Sequence, residues 1–151
     1  MANPFDFSSG QILTAAQLNS IGDTTSYTPT SSNGITTGNG TFAGNYQQIN
    51  NLVTVQASFT LGSTSAISTF VRFSAPVTAA SASELAAGTK GSFYDSSANV
   101  FYPLWGRTYN TSETYLYSVD ASGTYAAASS SWPVTAANSD VLYVQMTYRV
   151  A

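Results

Sequence analysis

Ten aromatic side chains, Phe93, Tyr94, Phe101, Tyr102, Trp105, Tyr109, Tyr115, Tyr117, Tyr125 and Trp132, fall within 40 consecutive residues. Aromatic faces stack on sugar rings, and Tyr hydroxyls can hydrogen-bond the ring rims, so one reading is a glycan receptor surface. The other is that alternate members fill a core while the rest line a subunit interface, where Tyr and Trp are enriched. Tyr94, Tyr102, Trp105, Tyr109, Tyr115, Tyr117, Tyr125 and Trp132 are the candidate receptor or interface residues.

Acid–base chemistry has little to work with. The chain has no His and no Cys, which removes the side chains that most often act as bases, nucleophiles or soft metal ligands at neutral pH. Asp95 with Glu113 or Asp120 is the one imaginable glycosidase couple, which needs two carboxyls about 5–10 Å apart. Asp95, however, sits in an Asp-Ser-Ser-Ala turn, where Asp is expected for local backbone bonding. No Asp-x-Asp-x-Asp loop offers a calcium site. The expectation is therefore no catalytic residue, no metal and no cofactor. The sequons Asn39-Gly40-Thr41 and Asn110-Thr111-Ser112 are what so much Ser and Thr produces by chance.

The bulk composition agrees with a folded, lightly charged scaffold. Only 7% of the 151 residues are charged, against about 25% in ordinary domains, while 43% are hydrophobic and 13% aromatic. That aromatic content argues against disorder. The net charge of −3, with Arg72, Lys90, Arg107 and Arg149 scattered along the chain, excludes a phosphate-binding stripe. No apolar run approaches the roughly 20 residues that span a bilayer, and the start Met-Ala-Asn-Pro-Phe-Asp lacks the pattern of a secretory signal. A product made in the cytoplasm, with no nucleic-acid partner and no membrane insertion, is expected. Few charges on a hydroxyl-rich surface suit close packing within an assembly.

Two kinds of element must position these residues. Thr14 can cap a short helix over 15–21, with Gln17 closing a capping box, Leu13 and Leu18 forming a hydrophobic staple, and Gly22 following as the C′ residue. Two turns do not persist alone. Residues 1–22 therefore read as an arm and helix that either tuck against their own domain or dock elsewhere, with Phe5, Phe7, Ile12, Leu13, Leu18 and Ile21 as the apolar contacts.

From Thr24 the period becomes two. Val53, Val55, Ala57, Phe59 and Leu61 share one face, and so do Leu142, Val144, Met146, Tyr148 and Val150, which predicts two half-buried strands. Residues 41–49 should pair with 52–61 through an Asn50-Asn51 turn. A further strand is predicted along Ile67, Thr69, Val71 and Phe73, closed by Pro76, followed by residues 81–88, readable as one helical turn or a loop, with the loop favoured. Residues 90–94 and 99–107 form a second hairpin, with strands at 114–119 and, more weakly, 125–132. The predicted fold is all-β: an antiparallel β-sandwich or jelly-roll-like domain over 24–151, preceded by the arm and helix of 1–22.

The block Gly-Gln-Ile-Leu-Thr-Ala-Ala-Gln-Leu-Asn-Ser-Ile-Gly-Asp (10–23), followed by Ser-Tyr-Thr-Pro-Thr (26–30), resembles the opening of a small domain of bacteriophage tail and virion structural proteins. The resemblance continues through Gly-Asn-Gly-Thr-Phe-Ala-Gly-Asn-Tyr (38–46) and Leu-Val-Thr-Val-Gln-Ala-Ser-Phe-Thr-Leu-Gly-Ser-Thr-Ser (52–65). It then runs through Phe-Ser-Ala-Pro-Val-Thr-Ala (73–79) to Asn-Ser-Asp-Val-Leu-Tyr-Val-Gln-Met-Thr-Tyr (138–148). Residues 90–132 depart from the family pattern, being longer and richer in Tyr.

The resemblance implies a non-enzymatic virion component, such as a tail fibre or head fibre, built as a homotrimer. Residues 1–22 would attach it to other virion proteins, and the β-domain would meet a host surface glycan. A capsid decoration protein that stabilises the particle without a receptor is the rival reading, and a glycan-hydrolysing enzyme the remote one.

Overall fold

The computed structural model describes residues 22–119, 123–128 and 133–150, together with residues 10, 12, 14, 15 and 131. Within them run eleven strands: β1 (Thr25–Tyr27), β2 (Ile35–Thr36), β3 (Thr41–Ile49), β4 (Leu52–Thr60), β5 (Ala66–Ile67), β6 (Arg72–Ser74), β7 (Thr89–Asp95), β8 (Val100–Thr108), β9 (Glu113–Val119), β10 (Tyr125–Ala127) and β11 (Val141–Arg149). One helix, α1 (Ala82–Ala87), precedes β7.

Nine strands form one antiparallel sheet in the order β1-β3-β4-β11-β7-β8-β9-β10, with β6 also on the edge of β9. A small β2–β5 pair stands apart. The large sheet curls on itself, because the chain leaving β1 at one end of the order bonds β6 at the other. Ser74 N–H donates to the Thr30 carbonyl at 2.9 Å and Arg72 N–H to the Asn33 carbonyl at 3.1 Å. Phe42 of β3 thereby meets Phe73 of β6 across the interior, with ring centroids 5.7 Å apart. The fold is all-β, antiparallel and sandwich-like.

The two clearest alternations of the sequence lie side by side at the centre. β4 pairs with β11 over nine residues, and Val53, Val55, Phe59, Leu142, Val144, Met146 and Tyr148 are all buried on the same face. Asn50 supports the β3–β4 turn with φ of 53°, in the left-handed region that Asn tolerates. The β7–β8 hairpin also forms where its turn predicts.

Three expectations need correction. Residues 82–87 are helical, not a loop. Ser81 is an N-cap, accepting from Glu84 N–H at 3.1 Å, and Leu85 is fully buried beneath. Six residues with one large apolar side chain are too few to show a helical period. The run Ile67 to Phe73 is not one strand either: it splits into β5 and β6 at Phe70, whose φ of 62° is foreign to a strand. Ile67, Val71 and Phe73 still enter the core, so alternating burial survives the break. Among the described residues of 125–132, the strand covers Tyr125–Ala127, and Ala128 and Ser131 lie outside it.

At the N-terminus, Ala15 is helical and Ile12 is exposed. Phe5, Phe7, Leu13, Leu18 and Ile21 lie outside the described residues, as does the rest of the predicted helix.

Candidate binding face

Residues paired directly across neighbouring strands share one face of a sheet. The register therefore places Arg72, Tyr115 and Arg107 in one outward row, and Tyr117, Trp105 and Lys90 in the next. Buried Phe73, Thr114 and Leu116 alternate with them on the inner side.

The rows interlock. The Arg72 guanidinium lies 3.8 Å from the Tyr109 ring centroid and 4.8 Å from that of Tyr115, and its Nη2 donates to the Tyr115 hydroxyl at 2.9 Å. Arg107 repeats the arrangement one step along: Cζ is 5.0 Å from the Tyr117 centroid, and Nη1 donates to the Tyr117 hydroxyl at 2.9 Å. Tyr109 packs edge-on against Tyr115 at 4.9 Å, Tyr115 against Tyr117 at 6.3 Å and Phe70 against Tyr115 at 5.9 Å. Each cation–π contact contributes about 0.5–1 kcal/mol at an exposed site. The set holds these rings in fixed orientations, which favours a ligand needing flat, preformed platforms.

Beside the ladder opens a cleft of about 590 Å³. Tyr117, only 6% exposed, forms its floor, while Trp105 (44%) and Tyr125 (67%) stand at the rim with Arg107. The opposite wall is the end of α1, Ala86 and Ala87. Gly106 makes this possible: a Cβ there would sit 2.4 Å from the Ala86 carbonyl oxygen, so any larger residue would push α1 off β8.

A second aromatic group lies at the far end of the same outer face. Tyr94 and Phe101 stack at 4.6 Å, Phe101 and Tyr143 at 6.3 Å, and Phe101 is 60% exposed. Tyr102 is separate from both groups, since its register position beside Phe93 turns it inward against the core. Trp132 lies outside the described residues.

The carboxylates brace turns. Asp95 Oδ1 accepts from the Ala98 and Ser97 amides at 3.0 and 2.9 Å and from the Ser97 hydroxyl at 2.8 Å. The Ala98 amide, then the Ser97 hydroxyl, hold its carboxyl below the ordinary carboxylate range. Asp140, almost fully buried, accepts from Ser96 N–H at 2.9 Å and Ala137 N–H at 2.7 Å, tying the β7–β8 turn to the entry of β11. Glu113 accepts from the Ser32 hydroxyl at 2.6 Å. Asp95 and Glu113 flank opposite ends of β8, so about 30 Å of strand separates them, far beyond a glycosidase spacing. Asp120 lies outside the described residues.

Phe70, Arg72 and Lys90 belong to this face and were not singled out from the sequence. The cations are scattered along the chain, yet Arg72, Lys90 and Arg107 converge on adjacent strands of the outer face, which Arg149 joins further away on β11. Trp105, Arg107, Tyr115 and Tyr117 do share a local signal, outward alternation on two adjacent strands; Arg72 joins them only through the β6–β9 pairing.

Compared with known proteins, the chain matches no family model, no curated protein and no solved structure.

Proposed function

We propose that this chain is a non-enzymatic phage virion protein, a homotrimeric tail-fibre or head-fibre component whose β-domain binds a host surface glycan. The observation that carries the binding part is the guanidinium-braced aromatic ladder opening into the Trp105–Tyr117–Tyr125 cleft. Rigid rings at a cleft rim suit stacking on sugar faces, and the neighbouring hydroxyls and guanidinium supply directional bonds. The virion part rests on the ordered sequence blocks between residues 10 and 148. In this reading residues 1–22 attach to other virion proteins, and the exposed Tyr94–Phe101–Tyr143 stack serves contacts between copies.

The test is binding of the full chain to a glycan array, repeated with Trp105→Ala and Tyr125→Ala. Each variant should weaken the recognised glycan by about tenfold, as expected for one lost stacking contact in a preformed site. Binding unchanged by both substitutions would remove the cleft from the proposal. Particles that keep full occupancy after deletion of residues 1–22 would remove the anchor.

The second reading is capsid decoration, in which the same exposed aromatic stack lies against the shell. Particles lacking the protein would then lose heat resistance and adsorb to hosts normally. The receptor reading expects the reverse.

A further inference from the structure

We infer that the ligand of this face is an extended, carboxylate-bearing oligosaccharide lying across the strands, with acidic groups at Arg107 and Lys90. The inference deepens the glycan-binding reading above and rests on it. Asn45 pairs with Gln56, Gln56 with Gln145, Gln145 with Lys90, Lys90 with Trp105 and Trp105 with Tyr117. One outward row therefore runs perpendicular to six strands: three amides, an ammonium, an indole and a phenol. At the strand spacing of about 4.8 Å, the five steps span about 24 Å along the sheet.

Apart from the Tyr117 hydroxyl, which accepts from Arg107, the polar members of this row are unspent. Among the described residues the Asn45, Gln56 and Gln145 amides, the Lys90 ammonium and the Trp105 indole N–H form no hydrogen bond or ion pair. Other polar groups nearby are engaged: Gln47 donates to Thr24, Gln48 to the Asn50 carbonyl, and Arg149 to Glu84. A shallow depression of about 360 Å³ lies under the middle of the row, bordered by Gln56, Lys90, Ser92, Tyr143 and Gln145. With the aromatic cleft beyond Trp105, it gives two neighbouring subsites along one row, meeting where Lys90 pairs with Trp105.

Charge selects the ligand class. Lys90 flanks Trp105 on one side, and Arg107 lies two residues further along the same strand face. Neither has a carboxylate partner among the described residues, whereas Asp95, Asp140, Glu84 and Glu113 are held in turns or by α1. Two unneutralised cations around an indole, on a chain of net charge −3, form a local site for an anion bound to a stackable ring. Uronic and sialic acid units have that chemistry. The amides then bond hydroxyls of the following rings.

The experiment is a panel of acidic saccharides, each paired with its carboxyl-reduced neutral form, titrated calorimetrically against the full chain. An acidic oligomer should bind about tenfold tighter than its reduced partner, the advantage of a charge-assisted bond over a neutral one. Lys90→Gln and Arg107→Gln should each bring the acidic-to-reduced affinity ratio, measured within the variant, close to one; Lys90→Gln, whose ammonium bonds nothing among the described residues, should also keep the parent's melting temperature. Gln56→Ala should weaken long oligomers and leave disaccharides unaffected. Equal binding of acidic and reduced forms would overturn this inference and leave glycan binding standing. Failure of every member of the panel to bind would overturn both.

Discussion

Replacing Leu85 by Ala removes the large apolar side chain that seats α1 on the sheet. Leu85 is fully buried, and the helix packs against β8, β9 and β11. Losing three carbons from the interior forfeits about 2.4 kcal/mol at about 0.8 kcal/mol per CH₂. The residual cavity adds about 1 kcal/mol, because paired strands relax little, for a total of about 3.5 kcal/mol. With a urea slope of about 2 kcal/mol/M, the midpoint should fall by about 1.7 M, and the melting temperature by roughly 7–14 °C. Two controls sharpen the result. Leu85→Met keeps the volume and should lose less than about 1.5 kcal/mol. Leu52→Ala performs the same chemistry at a half-exposed position and should lose about 1 kcal/mol or less. Urea denaturation followed by circular dichroism and Trp fluorescence gives all three. Equal losses for Leu85→Ala and Leu52→Ala would refute the seating of α1, and with it the cleft wall formed by Ala86 and Ala87.

Two further outcomes concern pH. Burial, working against the Val77 contacts, pushes the Tyr148 hydroxyl up to about 12, and burial likewise raises Tyr27 well above the ordinary tyrosine value. Both favour the protonated form in the fold, so their linked stability is full below about pH 10, where unfolded Tyr titrates, and is lost as pH climbs toward 12. The tyrosinate absorbance that Tyr148 contributes, read as parent minus Tyr148→Phe, should therefore appear only with unfolding; Tyr148→Phe, which strips the Val77 carbonyl of its 2.8 Å donor, should lose about 1 kcal/mol at neutral pH. On the acid side the sign reverses. Asp95 is held below its unfolded value, so its contribution is present above the ordinary carboxylate range and disappears as pH falls through the lowered value. Urea midpoints measured from neutral to strongly acid pH should show a shallower acid limb in Asp95→Asn than in the parent, and identical limbs would refute the bracing role of that carboxylate.

The parts of the fold readable from composition and spacing are those whose information is local. Alternation along 53–61 and 142–150 names the buried faces of β4 and β11, because a strand repeats every two residues whatever its partners. Asn50-Asn51 and Asp95-Ser96-Ser97-Ala98 mark hairpins, because turn conformations select a few residue types. The lack of His and Cys limits the available chemistry before any coordinate is known.

Other features depend on partners far away in the chain. Whether Tyr102 points inward while Trp105 and Tyr117 point outward is a question of register. Helix α1 exists because Leu85 finds a socket among β8, β9 and β11, a packing gain that outweighs the weak propensity of six residues. Arg72 reaches Tyr109 and Tyr115 only because β6 pairs with β9, and Lys90 stands beside Trp105 only because β7 pairs with β8. Local pattern sets which side chains are buried, since burial follows backbone period. Long-range pairing sets which exposed side chains become neighbours, since hydrogen-bonded strands bring together residues that the sequence separates.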